Sequence, residues 1–320
     1  MTNDREKVNT ADFLEGITKD SVLAVVGPTA SGKSSLAVRI AKEVDGEIIS
    51  CDSMQVYRGM DIGTAKATKD EMQGIPHHLI DIVSPSEPFS CADYTVAARA
   101  ATDDVLSRGK MPIFCGGTGL YLESAVFDRT MTSPPSDPLL RQMLEERDID
   151  ENYAELLSVD PESAAAIHKN NKKRVIRALE IYRLSGITKS EFDRMSGEMP
   201  SRYDTRIVVL DCSDREYLYR RIDDRVDKMI ADGLVNEVRG LSLDKNTTAG
   251  QAIGYKELSA ALCGECTVEK AIDDVKQASR NYAKRQITWF KRYKNALRLD
   301  ICDPESIDDF VKLLLKKTAR

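Results

Sequence analysis

The chain of 320 residues has one tryptophan, three histidines and only 6% aromatic residues. It has no apolar run near the ~18 residues a membrane span requires. Runs such as Ser21 to Val26 and Arg206 to Cys212 are strand-length. The opening MTNDREKVNTADFLEGITKD lacks the basic-then-apolar order of a secretion leader. A membrane protein and a secreted precursor are both excluded on this reading. The seven cysteines (Cys51, Cys91, Cys115, Cys212, Cys263, Cys266, Cys302) are odd in number and scattered. That pattern suits reduced thiols in the cytoplasm rather than a disulfide framework. Cys263 and Cys266 form one CxxC, but no second CxxC or His pair completes a zinc site. A net charge of -6 excludes a generally cationic nucleic-acid binder, though not a local basic stripe.

Apolar residues make up 42% and charged residues 31%, the balance of a globular protein with room for a large core. SVLAVVG reads as a buried strand stopped by glycine, and Leu36, Ala37, Ile40 and Val44 have helical spacing after it. EIIS (47–50) and MPIFC (111–115) read as further strands. Between them, Ser90 and Asp93 open an amphipathic helix running to Leu106. GGTG then leads into a helix from Leu120 to Val126. This alternation predicts an α/β fold of the P-loop NTPase type, a parallel sheet flanked by helices. The prolines of SPPSDP (133–138) interrupt it, and from Leu139 to about Glu198 the pattern is purely helical. Strand character returns at RIVVLDC (206–212), and ALRLDI (296–301) is a possible short strand. The expected organisation is therefore a first core part (1–132), a helical insertion (133–204), and the resumed core with C-terminal basic helices (205–320).

Gly27-Pro28-Thr29-Ala30-Ser31-Gly32-Lys33-Ser34 fits G-x-x-x-x-G-K-[ST], between a strand and a helix. Such a loop aims backbone N–H groups at a phosphate, while Lys33 adds a point charge and the Ser34 hydroxyl can ligate Mg²⁺. No Walker-B acid follows MPIFC. The nearest carboxylate after a strand is Asp52, a candidate to meet a substrate lying on the loop. These features alone leave a kinase, another transferase, or a nucleotide-dependent RNA-binding switch open.

Longer motifs are more specific. The phosphate loop is followed by DSMQVYRGMDIGTAK (52–66), PHHLID (76–81), GGTGLY (116–121), KRVIRALEIY (173–182), GLVNEVRGL (233–241), IGYKE (253–257) and AKRQITWF (283–290). In this order and spacing they resemble the tRNA dimethylallyltransferase family, over nearly the whole chain from Val22 to about Arg292. The resemblance implies transfer of a dimethylallyl group from dimethylallyl diphosphate to N6 of adenosine 37, in tRNAs reading codons that begin with U. It implies that Gly27 to Ser34 hold the diphosphate rather than ATP, with Mg²⁺ as cofactor. Asp52 matches the general base, Thr118 a residue holding the target adenine, and Arg239 an arginine reaching the diphosphate. Asp52, Ser53, Met54 and Gln55 match the segment meeting the target nucleotide. Arg141, Lys173, Arg174, Val175, Ile176 and Arg177 match positions touching tRNA. His78 stands where an arginine is frequent, which bears on a peripheral contact alone, and the chain ends at Arg320 without the zinc-finger extension of eukaryotic relatives, so a bacterial-type enzyme is implied; a cytoplasmic monomer is the accompanying expectation. A related family that prenylates free AMP, ADP or ATP is the nearest alternative.

Two acid-free stretches support a tRNA partner independently. Lys169, Lys172, Lys173, Arg174 and Arg177 form one; Lys276, Arg280, Lys284, Arg285, Lys291, Arg292, Lys294 and Arg298 form the other. Tyr282, Trp289, Phe290 and Tyr293 are interleaved with the second, suiting phosphate contact and base stacking, although Trp289 and Phe290 at helical spacing also suit a core.

Overall fold

A computed structural model describes residues 8–127, 134, 137–195 and 201–318. The expected proline break at 133–138 lies partly outside these residues. The described chain separates into two compact units, one built from Met1–Val126 with Tyr203–Arg320 and one from Phe127–Arg202.

The first unit is a six-stranded sheet. Its strands are β1 (Val22–Val26), β2 (Gly46–Ser50), β3 (His77–His78), β4 (Met111–Gly116), β5 (Thr205–Asp211) and β6 (Leu297–Asp300). Their order is β3-β2-β4-β1-β5-β6, and every pairing is parallel. All five residues of β1 are buried, as expected for a central parallel strand covered on both faces. The register sets Val25 beside Cys115 of β4 and Val208 of β5. The helix Lys33–Val44 lays Leu36, Ala37, Ile40, Ala41 and Val44 into one core cluster, with Phe310, Val311 and Leu314 of the helix Pro304–Thr318. The helix Cys91–Ser107 begins with the expected capping box: Ser90 Oγ accepts from the Asp93 N–H at 3.2 Å, and Asp93 Oδ2 from the Ser90 N–H at 2.8 Å. Strand β3 was not expected; two histidines carry no apolar alternation, and only pairing with Ile48 and Ile49 makes them a strand.

The second unit contains five helices among its described residues, Pro138–Glu146, Ile149–Val159, Pro161–Ala166, Lys172–Ser185 and Lys189–Met195. Aspartates cap three of them, and proline occupies the first helical position after Asp137 and Asp160. Asp160 also accepts from the Ser190 N–H at 3.0 Å, tying in the last helix. Leu144, Leu156, Ile167, Val175, Ile176 and Leu179 form its core. No described helix is long and apolar enough to cross a membrane.

Candidate active site

The carboxyl ends of β1, β2 and β4 bring the motifs together. After β1 the chain turns through Gly27, where a Cβ would stand 2.6 Å from the Leu210 carbonyl oxygen, so only glycine fits. Ala30 (φ 61°) and Gly32 (φ 86°) both adopt the left-handed conformation. Pro28 O accepts from the Ser31 N–H at 3.3 Å and from Lys33 Nζ at 3.2 Å, which folds the loop over its own lysine. Gly32 caps the following helix without a side-chain hydrogen bond, leaving its first N–H groups available to an anion. Ser31 Oγ is buried with no hydrogen-bond partner. Burial, then the positive charge of Arg225, pushes the half-buried Lys33 ammonium down to about 8.

After β2, the Cys51 N–H donates to Cys115 O at 2.8 Å, and the Thr118 N–H donates to Cys51 O at 3.1 Å. A Cβ on Gly116 would overlap the Cys51 carbonyl, so the glycine lets the two strand ends meet. This contact aims Asp52 off the sheet. Its Oδ1 accepts from the Met54 N–H at 2.9 Å, and its other oxygen has no protein partner among the described residues. Thr118 Oγ1 accepts from the Ser53 N–H at 3.2 Å, so Thr118 positions the turn that carries Asp52. Gln55 is engaged internally: Oε1 accepts from Ser50 Oγ at 2.9 Å and Nε2 donates to Thr64 O at 3.3 Å.

Lys33, Ser34 and the Asp52 to Gln55 turn line a cavity of about 300 Å³. Its lining includes polar side chains, Lys33, Ser34, Asp52, Arg225 and Arg285, and apolar ones, Ile48, Ile222, Val226 and Met229, with Arg225 on the same helix as the last three. Arg225 makes no ion pair among the described residues, and burial lowers its guanidinium pKa against the pull of Asp52. Burial and the Asp52 charge push the Tyr282 phenol up to about 12, so it remains a protonated donor beside Thr118. The arrangement can hold a diphosphate and a short apolar group together, with a carboxylate oxygen free to take a proton.

The expected site residues divide into three groups. Thr29, Lys33, Ser34, Asp52, Ser53, Met54 and Gln55 line the cavity, and Thr118 supports it. Arg239 is exposed, donates to Asn236 Oδ1 at 3.0 Å, and is not among the lining residues. In the second unit, Val175 and Ile176 are buried in the core, so their side chains cannot touch tRNA. Arg141 Nη2 and Arg177 Nη1 converge on the fully buried Glu180 at 2.8 and 2.6 Å. Burial alone would raise the Glu180 carboxyl, yet these two guanidinium donors hold it below the usual range. Lys173 and Arg174 are exposed and make no ion pair among the described residues.

The second basic stretch is less cationic than it reads. Lys276 pairs with Asp227 at 2.6 Å and Arg280 with Asp223 at 2.5 Å. Arg292 pairs with Glu123 at 3.1 Å and Arg298 with Asp211 at 3.4 Å. Arg285 and Tyr282 are among the cavity-lining residues, Arg285 while remaining exposed. His78 Nε2–H donates to Glu47 Oε2 at 2.8 Å, on a carboxylate that Arg108 also grips.

Sequence reasoning missed Arg225 and Gln286. Each is a polar residue on an otherwise apolar helix stripe, Leu218–Ile222–Arg225–Val226 and Ala283–Gln286–Phe290. A lone polar residue at core spacing was the available signal.

A family model described as IPP transferase matches residues 55–293, and one described as isopentenyl transferase matches residues 20–84. A tRNA dimethylallyltransferase of Geobacillus thermodenitrificans is 47% identical over 293 residues, covering 89% of this chain and 92% of that protein. Among solved structures, a tRNA isopentenylpyrophosphate transferase of Bacillus halodurans superposes with a TM-score of 0.68 at 41% identity, covering 93% of this chain and 98% of that one. A eukaryotic dimethylallyltransferase described as acting on tRNA superposes with a TM-score of 0.78 at 32% identity, covering 90% and 75%. With a sheet, a phosphate loop and an acid-bearing turn arranged around one cavity, and with this identity along most of its length, the chain belongs to the tRNA dimethylallyltransferase family.

Proposed function

We propose that the protein transfers a dimethylallyl group from dimethylallyl diphosphate to N6 of adenosine 37 in tRNAs reading codons that begin with U, releasing diphosphate. The observation that carries this reading is the cavity itself, whose lining combines phosphate-loop residues, apolar side chains and a free carboxylate oxygen. The named activity of the relatives supports the donor and the acceptor. The enzyme acts as a monomer in the cytoplasm on this proposal.

Ionisation of the allylic C–O bond builds positive charge on carbon and negative charge on the leaving diphosphate. Lys33, the loop N–H groups and Arg225 oppose that negative charge, so they favour the transition state over the ground state. The diphosphate role implied for Arg239 passes to Arg225 on this proposal, because Arg225 lines the cavity. Ser34 and Asp52, both in the cavity lining, offer hard oxygen donors, a donor set that suits Mg²⁺. There Ser34 would hold the ion, which supplies further neutralisation of the diphosphate. The free Asp52 oxygen accepts the proton of the attacking N6 amine, while Thr118 and Tyr282 fix the turn and the adenine beside it. The target base must leave the anticodon-loop stack, at a cost of a few kcal/mol that protein contacts offset.

Mass spectrometry of unmodified tRNA after incubation with Mg²⁺ and dimethylallyl diphosphate tests this. A C5H8 increment on the tRNA adenosine is expected, and none on AMP or ATP offered in parallel. Increment on free nucleotide alone would move the acceptor to the mononucleotide class. Asp52→Ala should abolish transfer while tRNA binding persists; normal turnover by that variant removes Asp52 as the base.

A further inference from the structure

Two cysteines that the activity does not use stand side by side. Asp211 and Asp300 are register partners at the ends of β5 and β6, so the residues just beyond them emerge together. The Ile301 N–H continues the ladder to Asp211 O at 3.0 Å. One carboxylate oxygen of Asp300 then accepts from the Ser213 N–H at 3.2 Å and from the Cys302 N–H at 2.9 Å. This stitch holds both turns, and it leaves Cys212 Sγ and Cys302 Sγ in contact at 3.6 Å. Cys302 is exposed and Cys212 is half-buried.

We propose that Cys212 and Cys302 are a modification site, a dithiol that a low-molecular-weight disulfide converts to an intramolecular disulfide. The exposed Cys302 thiolate attacks the reagent RSSR, forms Cys302–S–SR and releases one thiolate RS⁻. Cys212 then loses its proton to solvent and attacks the Cys302 sulfur, expelling the second RS⁻. The balance is two protein thiols plus RSSR giving one protein disulfide plus two RSH. Burial and the adjoining Cys302 sulfur push the Cys212 thiol up to about 12, which agrees with Cys302 reacting first.

The location gives this bond consequences. Cys212 packs against the cluster of Ala30, Leu218, Ile222 and Ala283, and Leu210 O abuts the phosphate loop at Gly27. The closed segment from Cys212 to Cys302 includes Arg225, Tyr282 and Gln286. Oxidation therefore braces the strand ends that back the loop, and it constrains the unfolded chain over a long segment.

The test exposes the reduced full-length protein, in the presence of a chelator, to glutathione disulfide, followed by thiol titration and peptide mass mapping. The expected product loses two of its seven thiols, carries linked Cys212 and Cys302 peptides, and reverts with dithiothreitol. Cys212→Ser should accumulate glutathione on Cys302, whereas Cys302→Ser should take up none at Cys212. The unfolding midpoint of the oxidised wild type should rise by several degrees, with no such rise in either variant. Linkage of other cysteines first, or an unchanged thiol count at Cys212 and Cys302, overturns the proposal. So does zinc retained through dialysis of chelator-free wild-type protein but lost from both variants, which would make Asp300 and the thiols a metal site.

Discussion

Gln286 Oε1 accepts from the Thr29 N–H at 2.8 Å across 257 positions of sequence, and its Nε2 donates to Gly117 O at 3.0 Å. One buried carboxamide thus joins the phosphate loop to the turn after β4, and both of its polar ends are used. Gln286→Glu keeps the acceptor for Thr29 but sets a second acceptor against the Gly117 carbonyl. We expect a stability loss of roughly 1–3 kcal/mol and a ~tenfold weaker pyrophosphate affinity. Urea melts and calorimetry read these two effects, and an unchanged affinity would mean that the bridge does not shape the loop.

Lys33 sets a pH dependence. Its ordinary pKa of 10.5 falls to about 8 in the folded chain. Below pH 8 the lysine is charged in both states, and the folded state bears the full cost of burial and of the Arg225 charge, roughly 3 kcal/mol. Between about 8 and 10.5 the unfolded chain holds more protons, so the ligand-free protein becomes more stable as pH rises. Pyrophosphate requires the ammonium, and its affinity should fall over the same window. Binding near the lowered pKa should take up a proton, visible as a buffer-dependent heat. Lys33→Met should melt higher than wild type at neutral pH while losing pyrophosphate binding; equal melting of the two proteins contradicts the burial penalty.

Glu237 anchors the loop that follows the Asp52 segment. Its carboxylate accepts from the N–H groups of Asp61, Ile62 and Gly63 at 3.0, 2.8 and 3.0 Å, and from the Tyr255 hydroxyl at 2.6 Å. Glu237→Gln leaves one acceptor oxygen for donors that now use two, at a cost of about 2–3 kcal/mol. Tyr255→Phe removes a single donor and should cost about 1 kcal/mol. Equilibrium urea unfolding measures both, and equal losses would contradict the several-donor account.

The helical unit allows charge and packing to be separated. Neutralising Lys173 and Arg174 together should weaken tRNA binding and reduce the slope of log K against log salt by about 1.5. Their fold should be unaffected, because both are exposed. Arg177→Ala should instead lower the melting temperature, since it strips a donor from the buried Glu180, a loss of about 1–3 kcal/mol. Filter binding over a salt series, beside thermal melts, distinguishes the two. A salt slope left intact by the double variant would make Lys173 and Arg174 merely solvated.

Where hydrogen bonds and periodicity are local, the chain declares its structure. β1, β2, β4 and β5 appear as short apolar runs, the capping box at Ser90 marks its helix, and the phosphate loop is legible because its glycines satisfy backbone geometry within eight residues. Asp52 was legible too, since the residue after a parallel strand faces the ligand side. β3 was not, because a two-residue strand exists only through its neighbour.

Charge was the other thing that local reading could not assign. An acid-free stretch looks cationic, yet Asp211, Asp223, Asp227 and Glu123 come from other parts of the chain to pair with its Arg and Lys side chains. Val175 and Ile176 lie within a basic motif but point into a core, and Arg239 sits two residues from the anchoring Glu237 yet faces outward. The sequence by itself determined the α/β class, the phosphate loop and the acid beside it, because each depends on residues close along the chain. Only the tertiary structure decided which arginine enters the cavity, which cations stay unpaired and which two thiols touch, because those depend on partners tens to hundreds of residues away.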